Sequence, residues 1–139
     1  MFSTKRLGEH RDVVAPDGSD VRLLLQVSGG SLAQFQLAPG KTSVPIHHRT
    51  VEEIWYVVSG RGEMWRSFDE LESTTELEPG VCVDIPTGTD FQFRSTGSEP
   101  LAVIGVTIPP WPGPGEAIVS GGPWVANLEP GPGLVADER

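Results

Sequence analysis

An all-β fold, a sandwich or barrel of the jelly-roll kind, is what the sequence predicts, on three observations. Short runs rich in Val, Ile, Leu and aromatic residues follow one another at even spacing. Seventeen glycines and thirteen prolines punctuate them, as turns between short strands require. No long window carries the 3.6-residue period of a helix. Packing two sheets together is how such a chain limits its exposed strand edges.

The strands are read in chain order. Residues 21–27 (VRLLLQV) and 32–37 (LAQFQL) flank the turn Ser28-Gly29-Gly30. In the second of them Gln34 and Gln36 share one face, an odd place for two amides unless they meet water or a ligand, so both are candidate ligand-binding residues. Beyond Pro39-Gly40 comes 54–58 (IWYVV), apolar at every position, so that both of its faces want cover: one from the barrel interior, the other from a second sheet, a terminal segment or another subunit. Residues 62–66 follow the turn at Ser59-Gly60. Asp69, Glu70, Glu72, Glu76 and Glu78 then fall in one segment without a basic residue, which reads as a solvated loop or hairpin tip. In 81–85, Val81, Val83 and Ile85 alternate with Cys82 and Asp84. Residues 91–94 and 101–108 complete the set, after turns at Pro86-Thr87-Gly88 and Gly97 to Pro100.

From residue 109 the composition changes. Residues 108–133 carry seven prolines, too many for sheet pairing or helix. Trp111, Ile118, Val119 and Trp124 favour an extended arm laid over the barrel against a disordered tail, because indoles seldom decorate a free tail. The expected organisation is one barrel domain, 1–108, and a Pro/Gly-rich arm, 109–139, packed on the barrel or on a partner subunit.

At 139 residues the chain is large enough to bury about two thirds of its unfolded surface, so no metal or disulfide is needed merely to hold the fold. Nineteen acidic against ten basic residues give a net charge of −9, which argues against nucleic acid and against an anionic membrane surface as partners. Cys82 is the sole cysteine, so no intramolecular disulfide forms, and with no base beside it in sequence it reads as a structural thiol. The opening MFSTKRLGEHRD has no apolar core for a signal peptide, and no run is long enough to span a bilayer. A soluble, cytoplasmic protein is expected.

The chemistry concentrates in PIHHRTVEEIWYVVSGRG, residues 45–62. Gly40 is followed after five residues by Ile46, His47 and His48, after four more by Glu53 and after six more by Gly60. Further on, Gly80 is followed after five residues by Pro86, Thr87 and Gly88, after two more by Phe91 and after three more by Ser95. With these two linked spacings the chain resembles the cupin family, small β-barrels whose motifs are G(x)5HxH(x)3-4E(x)6G and G(x)5PxG(x)2H(x)3N. The resemblance implies a cupin-type jelly-roll barrel over residues 40–95 and the strands on either side. It also implies a divalent metal on three histidines and one glutamate. Here His48 and Glu53 are retained, Ile46 and Phe91 stand for the other two histidines, and Ser95 replaces the asparagine.

Two protein ligands fall short of what zinc or non-haem iron takes, so the expectation is no cofactor and the remains of a metal site. A one-residue slip at each motif would recruit a shifted set, His47, His48, Glu53 and Asp90. Neighbours on a regular strand point to opposite faces, so that rescue needs a bulge. Trp55 and Phe93 fall in phase with Glu53 and Phe91 and are expected to line the interior with them, so that Trp55, Phe91 and Phe93 join Gln34 and Gln36 as candidate ligand-binding residues.

The expected function is that of a cupin binding a small, partly apolar organic molecule in its barrel. As a metal-independent enzyme of the isomerase, epimerase, cyclase or lyase type it would use His48 and Glu53 as an acid–base pair. Sugar-nucleotide epimerases of the superfamily work in this way. The alternatives are a non-catalytic ligand-binding or sensing cupin, and a metal-dependent oxygenase or isomerase with the shifted ligand set. A homodimer is expected from the doubly apolar 54–58 strand and the tryptophan-bearing arm.

Overall fold

The computed structural model describes residues 1–136; residues 137–139 of the expected arm lie outside the described residues. The described residues form strands β1 (Val13–Val14), β2 (Asp20–Val27), β3 (Gly30–Leu37), β4 (Ile46–His48), β5 (Glu52–Ser59), β6 (Gly62–Phe68), β7 (Leu71–Leu77), β8 (Cys82–Ile85), β9 (Asp90–Ser95), β10 (Leu101–Ile108) and β11 (Ala117–Val119). A six-stranded sheet has the order β1-β2-β3-β10-β5-β8 and a five-stranded sheet the order β11-β4-β9-β6-β7, with antiparallel pairing throughout. The two sheets make the jelly roll, and each of the seven expected strands overlaps one of these.

The interior follows from period-two patterning. Along β5, Glu53, Trp55 and Val57 are buried while Glu52, Ile54, Tyr56 and Val58 face out. They meet Leu37, Met64, Leu77, Val83, Ile85, Phe91, Phe93, Leu101 and Val103 in one apolar core. The motif glycines serve the backbone: Gly40, Gly60, Gly80 and Gly88 all have positive φ. At Gly60 a Cβ would also collide with the backbone of Pro100 and Leu101, so the β5–β6 turn admits no side chain there. The Gly88 amide donates to the His48 carbonyl at 3.1 Å, tying the second motif to the first.

Four strands, β1, β4, β7 and β11, were not expected. The acidic segment supplies a hairpin tip at Asp69 and Glu70, both at positive φ, but its remainder pairs residue for residue with β6 as β7. As the edge strand of its sheet, β7 carries Glu72 and Glu76 where charge discourages further pairing. Residues 117–119 correct the expectation that the proline-rich segment cannot join a sheet: this short run has no proline and pairs with β4. Cys82 is exposed on the outer face of β8. No helix of the described residues is long and apolar enough to cross a membrane.

Beyond β10 the chain is held by specific polar contacts. Buried Gln92 donates through Nε2 to the carbonyls of Ser43 and Trp124, both at 2.9 Å, and its Oε1 accepts the Trp124 amide. Asn127 Oδ1 accepts the Thr42 amide at 2.8 Å, while its Nδ2 donates to the Gly40 carbonyl. Glu116 takes the Thr50 amide and hydroxyl and the Val51 amide, at 2.8, 2.6 and 2.9 Å. Arg94 lies 4.0 Å over the Trp124 ring while pairing with Glu63, and Arg66 pairs with Asp84.

Candidate functional site

The site is built on β4, β5 and β9. Along β4 the alternation is regular: Ile46 and His48 are buried and His47 is partly exposed. Ile46 sits directly across from Phe91, and β4 runs in unbroken register with β11. No bulge shifts the histidines, so the four residues of the slipped ligand set divide into two pairs on opposite faces. His47 Nδ1 lies 3.2 Å from Asp90 Oδ1 at the partly exposed face. Inside, His48 Nδ1 lies 3.4 Å from Glu53 Oε2, and both side chains are almost wholly buried. The shifted ligand set needs all four on one side, and here they lie in two pairs.

A cavity of about 460 Å³ opens beside the inner pair. Its polar wall includes His48, Glu53, Asp17, Ser31 and Thr107, and its aromatic wall Phe35, Trp55, Phe91 and Trp111. Among the described residues no lysine or arginine lines it. The rings interlock edge to face: His48 lies 5.4 Å from Phe91 and 5.2 Å from Trp111, and Trp55 lies 5.9 Å from Phe91. Gly105 is what admits the Trp55 and Phe35 rings, since a Cβ there would run into both.

Burial governs the charge state of these groups. It lowers the His48 pKa to about 4, with the Glu116 carboxylate opposing and His47 adding to the shift. It raises the Glu53 pKa to about 8, offset in part by the Trp55 indole and reinforced by the carboxyls of Asp17 and Glu116. Asp17 is raised by burial too, against the amide and hydroxyl of Ser19, which donate to its Oδ1 at 3.0 and 2.7 Å. For Glu116 burial is outweighed by its bonds from Thr50 and Val51, and its pKa is lowered. At neutral pH the inner pair is a neutral imidazole beside a protonated carboxyl, because an apolar enclosure disfavours charge on both.

Of the residues expected to bind a ligand, Trp55 and Phe91 line the cavity and the other three do not. Phe93 lies behind the wall, stacked edge-on against Trp55 at 4.8 Å. Gln34 and Gln36 stand on the opposite face of β3 from Phe35. Gln36 Oε1 accepts from Arg22 Nη1 at 2.8 Å, and Gln34 Oε1 is buried without a partner. The alternation of LAQFQL carried the signal for this, since Ala33, Phe35 and Leu37 form an unbroken apolar row that belongs inside. Asp17 went unrecognised as a site residue because locally it is only the aspartate of a Pro-Asp-Gly turn.

The donor set does not fit the metal that the family resemblance implies. His48 and Glu53 are two ligands, and the two further ligand positions hold Ile46 and Phe91, which fill the space with hydrocarbon. Among the described residues no group of three or more His, Cys, Asp or Glu is arranged to hold a metal ion.

A jelly-roll barrel with a small-molecule-sized cavity and both spacing motifs around it defines a cupin-type domain. The cupin domain model matches residues 33–107, more than half of the chain, and the chain belongs to the cupin family. An uncharacterized protein of Methanocaldococcus jannaschii is 28% identical over 120 residues, which cover 80% of this chain and 93% of that protein. Among solved structures, a double-stranded β-helix protein of Klebsiella pneumoniae is similar with a TM-score of 0.57 at 20% identity, over 66% of this chain and 76% of that one. KdgF from Halomonas sp. gives 0.58 at 20% identity, over 66% and 81%. Oxalate decarboxylase of Bacillus subtilis gives 0.64 at 18% identity, over 73% of this chain but 28% of that longer one. At these identities the structural likeness establishes the fold alone.

Proposed function

We propose that this cupin binds a small, partly apolar organic molecule in its barrel and moves a proton on it, without a tightly bound metal, as an isomerase, epimerase, cyclase or lyase does. One observation carries the reading: His48 and Glu53, 3.4 Å apart and almost wholly buried, open onto a cavity of about 460 Å³ with an otherwise largely apolar lining. That volume suits a small ligand. Glu53, protonated up to about pH 8, is the acid, and His48, neutral down to about pH 4, is the base. Two titratable groups whose surroundings set them in complementary protonation states are what general acid–base catalysis requires. The same reading takes the protein to be a cytoplasmic homodimer that buries the outer face of β5.

The test begins with a thermal-shift screen of small organic molecules against the full chain. Hits are then incubated in D2O and followed by NMR for deuterium incorporation or rearrangement. Glu53→Gln and His48→Gln should each lose about 10²–10⁴-fold in rate at saturating ligand. Hits that bind the parent and both variants alike, with no exchange in any of them, would make this a non-catalytic binding cupin. Failure of every compound to bind would remove the small-molecule reading itself.

A further inference from the structure

The cavity wall has an unbalanced chemistry. Two buried carboxyls, Asp17 and Glu53, line it, and among the described residues no lysine or arginine does. Among those residues neither carboxyl pairs with a lysine or arginine. Both bonds from Ser19 go to Asp17 Oδ1. Glu53 lies beside the Trp55 indole and beside His48, whose Nδ1 is buried and makes no hydrogen bond. Around them stand the rings of Phe35, Trp55, Phe91 and Trp111.

We propose that the molecule accepted here is an organic cation, with a protonated amine or quaternary ammonium group held by Asp17 and Glu53 and faced by the rings of Trp55, Phe91 and Trp111. The inference rests on the reading that the cavity binds a small molecule, and it names the class of that molecule. An isolated carboxylate in an apolar enclosure is so unfavourable that the group keeps its proton, and an arriving cation supplies the missing counter-charge. Aromatic faces attract the same cation through the ring quadrupole, most strongly where water is excluded. A carboxylate or phosphate ligand would meet two carboxyls and, among the described residues, no lysine or arginine to pair with. A neutral ligand would leave the carboxyls as they are in the empty cavity.

The titratable groups facing the site are Asp17, Glu53 and His48. Glu116 is occupied by Thr50 and Val51, and His47 lies at the outer face with Asp90.

The experiment is calorimetric titration of the full chain at pH 7 with four probes of similar size: 2-phenylethylamine, benzyltrimethylammonium, 2-phenylethanol and 3-phenylpropionate. Both cations should bind at least about tenfold tighter than the alcohol, a difference of about 1.4 kcal/mol, and the propionate weakest. Glu53→Gln should shrink the cation preference towards unity with little change for the alcohol, and Asp17→Asn should do the same where it folds. Tighter binding of the alcohol or the propionate, or a cation preference unchanged in Glu53→Gln, overturns the inference and leaves the small-molecule reading standing. Absence of binding by all four probes, followed by failure of the wider thermal-shift screen, overturns both.

Discussion

His48 and Glu53 pull the pH dependence of stability in opposite directions. The folded-state pKa of His48, about 4, lies below the ordinary 6.5, so the unfolded chain takes up a proton that the folded chain refuses, and stability falls as pH drops from 6.5 towards 4. Glu53 is raised from 4.5 to about 8, so between those values the unfolded chain releases a proton that the folded chain keeps, and stability falls as pH rises. Asp17, also raised, acts in the same direction as Glu53. Above pH 6.5 the carboxyl effect is left alone. The melting temperature of the parent should therefore fall from pH 6.5 to 8 more steeply than that of Glu53→Gln, and parallel curves would show that the carboxyl is not held protonated. At the neighbouring positions, Ile46 and Phe91 face each other across β4 and β9. Replacing both with histidine puts a full set of four donors around one point, so Ile46→His/Phe91→His should bind Co²⁺ with visible absorption bands where the parent does not. Equal binding by the parent would show that its own residues already complete a metal site.

Among elements, the strands that sequence patterning found are those whose alternation or apolar character is self-evident, such as β5, β8 and β10. Those it missed depend on partners. β4 is three residues long and follows a proline, and it is a strand because β9 and β11 flank it. β7 is mostly polar, and only the register with β6 makes it a strand. β11 sits between proline clusters, and Glu116 immediately before it determines how it approaches the barrel. That carboxylate satisfies three donors of the 50–51 turn just beyond His48, and hydrogen bonds to a charged group contribute more than neutral ones. Glu116→Gln should destabilise the protein by about 2 kcal/mol in denaturant titration, since one donor loses its acceptor and the rest lose the charge. A change within about 0.5 kcal/mol, the range of ordinary surface substitutions, would mean that the turn is held by other contacts.

For the whole molecule, the outer face of the six-stranded sheet is the unresolved hydrophobic surface. Ile54, Tyr56 and Val58 are 47, 49 and 42% exposed on β5, and Ile104, Val106 and Leu32 continue the same face through the paired strands β10 and β3. A patch of this kind on a chain of net charge −9 is better covered than left in water, and twofold closure with a second copy would cover it. Light scattering at micromolar concentration should give twice the 14.9 kDa chain mass, and Tyr56→Glu should shift it towards the single-chain value. A parent that scatters as one chain would contradict the dimer.

What the sequence by itself determined is whatever depends on local backbone conformation and on period two. The four motif glycines had to be glycines because the turns they occupy need positive φ, and their spacing carried the barrel and the degenerate ligand positions with it. The alternation around His48 and Glu53 likewise placed those two on one face and His47 on the other, provided no bulge intervened, and none does. Tertiary structure alone decided that Asp17 joins the cavity, where the Pro16-Asp17-Gly18 turn lies with residues 128 and 129 packed against Gly18. It decided in the same way that Trp111 covers His48, an approach between residues far apart in the chain. The charge states at the site follow from that closure, since desolvation is set by what surrounds a group in space and not by its neighbours in sequence.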